Sequence, residues 1–127
     1  MDQHIPTVSR ADVERIAVRD FPEHQVSKVL QTLSAFGLEV HHREIERVHL
    51  DILKLANGNF DRLVLETENA CGDYRDTMLA AEYPNYAKKM FRVDTLSADQ
   101  RRGIVNADRH QYNAWFDRKT TSGQQSI

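Results

Sequence analysis

Apolar residues along this chain recur at intervals of three and four, the period of a helix with one buried face, and seldom at the interval of two that marks a half-buried strand. Ser9 followed by Asp12 has the form of a capping box, and Val13, Ile16 and Ala17 then share a face, predicting a short first helix that ends near Asp20. Phe21-Pro22 breaks it, because proline disfavours helical geometry at the preceding residue and suits the first turn of a new helix. A second helix is expected from Pro22, with Val26, Val29, Leu30 and Leu33 as its stripe, Phe36 extending it and Gly37 as its C-terminal cap.

After a connector around residues 38–42, Ile45, Val48, Ile52 and Leu55 form the next stripe, and Leu50 and Leu53 widen it enough to predict a central helix. Asn57-Gly58-Asn59 stops that helix and starts another, Gly58 supplying a positive φ and Asn59 a cap. Asn-Gly also suits a strand hairpin, but its flanks have the helical period. Phe60, Leu63, Val64, Thr67, Ala70, Cys71, Tyr74, Met78 and Ala81 predict one long helix from Phe60 to Glu82, bent at Gly72 and ended by Pro84. Residues 83–91 read as a short helix or turn. Ser97 and Gln100 form a capping box that opens a final helix through Ile104, Val105, Asp108, Gln111, Tyr112, Trp115 and Phe116. The expected fold class is therefore all-α, a compact single-domain bundle of five or six helices joined by short connectors. Its domain should span residues 9–118, between a flexible N-terminus, 1–8, and a flexible C-terminal tail, 119–127.

Composition narrows the function classes. The 127 residues suit one domain, and five glycines and three prolines fit long helices better than many turns. With 17 basic against 19 acidic side chains the net charge is −2, far from the strong basic excess of a nucleic-acid-binding domain. The basic pairs Lys88-Lys89, Arg101-Arg102 and Arg118-Lys119 are dispersed and read as solvated surface. No apolar run exceeds the four residues Met78 to Ala81, so no membrane-spanning helix is expected, and the first residues lack the pattern of a secretory signal. A single cysteine, Cys71, excludes an intrachain disulfide and fits a cytoplasmic location.

The chemical motifs are few. The glycines are too dispersed for a phosphate-binding loop, no serine sits in a nucleophile elbow, and Cys71 lies on an apolar stripe. His42, Glu46 and His49 are spaced four and three apart, so on one helix they would converge as imidazole and carboxylate ligands for zinc or another transition metal. Glu39-x-x-His42 and Glu46-x-x-His49 share the form used in di-iron bundles, although those sites draw their pairs from different helices. The plainer reading is the wet side of an amphipathic helix, paired with Arg43 and Arg47. Asp73 and Asp76, three apart, are expected on one helix face, as an acid and base, a cation site or, more commonly, ion-pair partners. Asp108 occupies a stripe position, so its carboxylate needs a partner, for which Arg75, His110 and a tyrosine hydroxyl are the candidates.

Arg19 to Pro22, Arg47 to Asn59, Asp73-Tyr74-Arg75-Asp76, Ala81-Glu82-Tyr83-Pro84-Asn85-Tyr86 and Asp108 to Trp115 together resemble a group of small bacterial helical proteins. That group carries an Asp-Tyr-Arg-Asp stretch followed by Ala-Glu-Tyr-Pro, and it brings no activity with it. The resemblance implies a bacterial source and one domain with ragged ends. It also directs attention to Asp73, Tyr74, Arg75, Asp76, Glu82, Tyr83, Tyr86, Asp108, Gln111, Tyr112 and Trp115 as either a binding surface or the cement between the long helix and the last. The leading expectation is a non-enzymatic cytoplasmic protein-interaction module with an unidentified protein partner, one version being an immunity-type inhibitor. No cofactor, nucleic acid or membrane is expected. The alternative is a metal-binding protein or metal-dependent hydrolase using His42, Glu46 and His49.

Overall fold

A computed structural model describes residues 8–119, apart from the side chains of residues 91–93. Of the two ends expected to be flexible, all but Val8 and Lys119 lie outside the described residues. Among the described residues six α-helices run in order: α1 (Arg10–Asp20), α2 (Val26–Leu33), α3 (Ile45–Ala56), α4 (Phe60–Glu82), α5 (Pro84–Lys88) and α6 (Ala98–Asp117). Two stretches of 3-10 helix, Glu23–Gln25 and Met90–Thr95, precede α2 and α6. The described residues contain no strand, and the fold is an all-α bundle.

Capping chemistry sets the starts of three helices. The Ser9 hydroxyl accepts the Asp12 N–H while the Asp12 carboxylate accepts the Ser9 N–H at 2.9 Å, and Ser97 and Gln100 repeat the exchange at α6. The Asn59 side chain accepts the Arg62 N–H at 2.8 Å at the head of α4. The second helix departs from expectation: Pro22 is extended, with ψ 149°, so a 3-10 turn intervenes and α2 begins at Val26. It ends at Leu33, and Phe36 reaches the core from a following turn, where Gly37 has φ +125°.

Six consecutive residues of α3, Val48 to Leu53, are buried, so this helix is enclosed on all sides. At its end Asn57 and Gly58 both take left-handed conformations, with φ +51° and +80°, and turn the chain back so that α4 packs along α3. A Cβ on Gly58 would lie 3.0 Å from the Asp20 carbonyl oxygen, so α1 also relies on that glycine.

The long helix has the bounds its periodicity predicts, but its break falls at Asp73, not Gly72. Asp73 has φ −152° and ψ 97°, and its carboxylate accepts the Arg75 N–H at 3.0 Å. Asp73 is thus the N-cap of a second helical segment, which explains the break by side-chain chemistry rather than by glycine freedom. The far end of α6 is fixed by α1. Arg19 donates to the carbonyls of Trp115 at 2.7 Å and Arg118 at 3.0 Å, holds Asp20 through two further N–H groups and lies over the Trp115 ring. A cation on C-terminal carbonyls complements the helix dipole.

Candidate functional site

The motif residues divide between an ionic junction inside the bundle and an elbow on its surface. Glu82, the last residue of α4, is 1 % exposed, and its carboxylate receives Arg47 of α3 through Nε at 2.8 Å and Nη2 at 2.5 Å. Arg109 of α6 donates to the same carboxylate from Nη1 at 3.3 Å. The Arg109 guanidinium lies 5.0 Å from the Tyr112 ring centroid and 5.7 Å from that of Tyr83, so aromatic faces complete its surroundings. Asp51, one turn beyond Arg47 on α3, is 0 % exposed in the same junction, and among the described residues neither of its oxygens has a hydrogen-bond partner.

The electrostatics follow from this packing. Burial, reinforced by the neighbouring Glu82, pushes the Asp51 carboxyl well above the usual aspartate range. Burial acts on Glu82 in the same direction, but the hydrogen bonds from Arg47 and the charges of Arg47 and Arg109 hold it below the ordinary value. The Glu82 hydrogen bond fastens the proton on Arg47 still more firmly, against its own burial. Burial raises the Tyr112 phenol, and the acidic pair adds to the rise.

Asp108 is fully buried, as its stripe position predicts, but its partners are none of the expected side chains. Its two carboxylate oxygens accept the backbone N–H groups of Asn85, at 3.0 Å, and Tyr86, at 2.9 Å. Pro84 has no N–H, and the Ala87 N–H reaches the Tyr83 carbonyl at 2.9 Å, so Asp108 satisfies the first turn of α5 from across the fold. Gln111 adds a tie from α6 to the Ala81 carbonyl.

The remaining motif residues lie further out. Tyr74 is half-buried and meets Phe36 edge-on, with ring centroids 5.7 Å apart. Tyr83, Tyr86 and Trp115 are half-buried, whereas Arg75 and Asp76 are exposed at the α4 break. Arg75 pairs with Asp73 at 3.3 Å, and the Asp73 carboxyl is held below the usual range first by the Arg75 N–H, then by its side chain. Because Asp73 is non-helical, Asp73 and Asp76 do not form the helix-face pair expected of them. Beside the break, Leu55, Glu66, Asn69, Asp76, Thr77 and Ala80 line a groove of about 350 Å³. Glu66 in its wall is paired with Arg62 at 2.6 Å, leaving Asp76 as its exposed carboxylate.

His42, Glu46 and His49 are not brought to one helix face, because α3 begins only at Ile45. His42 is buried in the preceding turn, stacked on Phe36, and its Nδ1 accepts the Gly37 N–H at 2.7 Å. His49 donates from Nε2 to the Phe36 carbonyl at 2.9 Å and accepts Arg10 at Nδ1, which makes its ring neutral; burial lowers its pKa. Among the described residues no group of three His, Cys, Asp or Glu side chains is arranged to hold a metal ion. The Cys71 thiol donates to the Ala35 carbonyl at 3.7 Å, and burial raises its pKa, the opposite of what a reactive thiolate needs.

The junction residues that spacing alone did not single out are Asp51, Arg47 and Arg109. A usable signal existed for the first two: a helix apolar over so wide an arc has little room for a wet face, so Asp51 between Leu50 and Ile52 must be inside, with Arg47 one turn away. The fold and site thus define a small all-α domain whose helices meet around a buried ionic junction. No family model, curated protein or solved structure matches the chain.

Proposed function

We propose that this chain is a non-enzymatic protein-interaction module, cytoplasmic and bacterial in setting, that binds a basic segment of a partner protein at the α4 elbow. The observation that carries this reading is the groove beside the break at Asp73, where the exposed carboxylate of Asp76 and the wall carboxylate of Glu66 flank the apolar side chains of Leu55 and Ala80. Such a groove suits the apolar stem and charged head of a lysine or arginine. Its walls are rigid for a stated reason: α4 is fastened at one end by Glu82 in the ionic junction and recapped at Asp73. Binding elements already ordered lose less entropy on association.

An immunity-type inhibitor of a basic toxin is one form of this reading. The net charge of −2 gives little long-range steering, so the exposed Asp76 carboxylate carries the recognition. The test is capture by the immobilised full chain, followed by binding measurements with the purified partner. A stoichiometric basic partner whose affinity falls at least tenfold with Asp76→Lys and with added salt is expected, the melting temperature of the variant staying at the wild-type value. A partner bound equally by Asp76→Lys would place recognition elsewhere, and no stoichiometric partner at all would sink the proposal.

A further inference from the structure

Asp51 and Glu82 are both buried, at 0 % and 1 % exposure, and Arg47, one turn before Asp51 on α3, binds the Glu82 carboxylate, so the two carboxyls share one junction; their partners are unequal. Glu82 takes two N–H groups from Arg47 and one from Arg109, whereas Asp51 takes none. Two buried carboxylates cannot both be ionised at such proximity without strong repulsion, and a proton between them replaces repulsion with an O–H···O bond. The guanidinium donors keep Glu82 the anion and acceptor, so Asp51 is the donor. Arg109 holds the complementary vacancy: its Nε and Nη2 are buried without an acceptor.

We propose that the Asp51–Glu82 pair stores one proton at the meeting of α3, α4 and α6, and that losing it turns Asp51 from Glu82 to the unused N–H groups of Arg109. The proton therefore decides which of two pairings ties α6 to α3. With the proton in place, Arg47, Arg109 and Glu82 give the junction a charge of +1, and without it the charge is zero. The other groups facing Asp51 leave that balance intact. Tyr112 of α6 is a buried neutral phenol, Lys54 of α3 is a half-buried cation that also faces Asp108, and Asp108 is committed to the α5 amides. Glu44 lies beyond Arg47, 4.0 Å from its guanidinium. The raised pKa of Asp51 is the thermodynamic counterpart of this arrangement.

The sign of the linkage is fixed. A folded state that keeps a proton the unfolded chain gives up at about pH 4 loses stability as pH rises, until the folded carboxyl itself ionises. Asp51→Asn supplies a permanent donor to Glu82, so the folding equilibrium constant of wild type relative to this variant should fall by up to about tenfold per pH unit above about pH 5. A ratio independent of pH would overturn the proposal. NMR of the wild-type chain with carboxyl-labelled aspartate tests the same point if Asp51→Asn fails to fold. An Asp51 carboxyl that titrates well above the exposed aspartates, with the Arg109 Nε–H resonance moving at its titration midpoint, is the expected result. An Asp51 that titrates together with the exposed aspartates, or an Arg109 signal that ignores the titration, would refute the store or the exchange of partners respectively.

Discussion

Replacing Asp108 by Asn tests how α5 is held. The side chain is 0 % exposed and supplies both oxygens to backbone donors, at 3.0 Å from Asn85 and 2.9 Å from Tyr86. Asparagine keeps one oxygen, presents an NH2 group where the other stood and removes the charge, so one N–H loses its acceptor and the second bond loses its charge assistance. A hydrogen bond to a charged group contributes about 1.5–3 kcal/mol, and losing one while weakening another should cost about 2–3 kcal/mol. For a domain of this size each kcal/mol corresponds to roughly 4 °C, so the melting temperature should fall by about 8–12 °C. Circular dichroism melts at neutral pH provide the assay, with Asn85→Ala as the control, since that substitution keeps the backbone donor and changes only the side chain. A melting temperature for Asp108→Asn within about 2 °C of wild type would refute the reasoning.

Three further outcomes rest on the same structure. Glu82→Gln leaves the buried Arg109 and the partly buried Arg47 without their anion and should cost about 3–5 kcal/mol in a denaturant titration, against less than about 0.5 kcal/mol for the exposed Arg75→Ala. Gly58→Ala should lose at least about 1 kcal/mol, because alanine is strained at φ +80° and its Cβ would press on the Asp20 carbonyl; Asn57→Gly, at φ +51°, should not show that loss. His49 is neutral in the fold and its pKa is lowered by burial, so its contribution is complete above the unfolded value of about 6.5 and is lost as pH falls from there through the lower folded value. His49→Gln should flatten that acid limb of the stability curve, and an unchanged acid limb would remove His49 as its source.

Much of this architecture is legible in the sequence, because long periodic segments with caps leave few alternatives. The bounds of α4 are set by Asn59 at one end, Pro84 beyond the other and a 3.6-residue stripe between them. Its break is attributed to the wrong residue for an instructive reason: Gly72 is helical, and the interruption comes from an aspartate that competes for backbone N–H groups one position later. The need for a partner at Asp108 is legible too, but side-chain patterns cannot nominate backbone amides on another helix, and α5 is too short to announce itself. His42 and His49 have suggestive spacing only if one helix carries both. The left-handed Glu44, with φ +53°, starts α3 after His42 and assigns each ring a separate hydrogen bond to the α2 end.

The motif carried by residues 73–86 therefore has two halves. Glu82, with Asp108 of α6 holding the backbone of Asn85 and Tyr86, builds the interior, while Arg75 and Asp76 remain on the surface beside the α4 groove. Hydrogen–deuterium exchange of the full chain, alone and saturated with its captured partner, tests that division most directly. Added protection concentrated in residues 66–80, with the amides of α1 unchanged, is the predicted result. Protection confined to residues 38–44, where Leu38 and Val40 are the exposed apolar side chains, would contradict it.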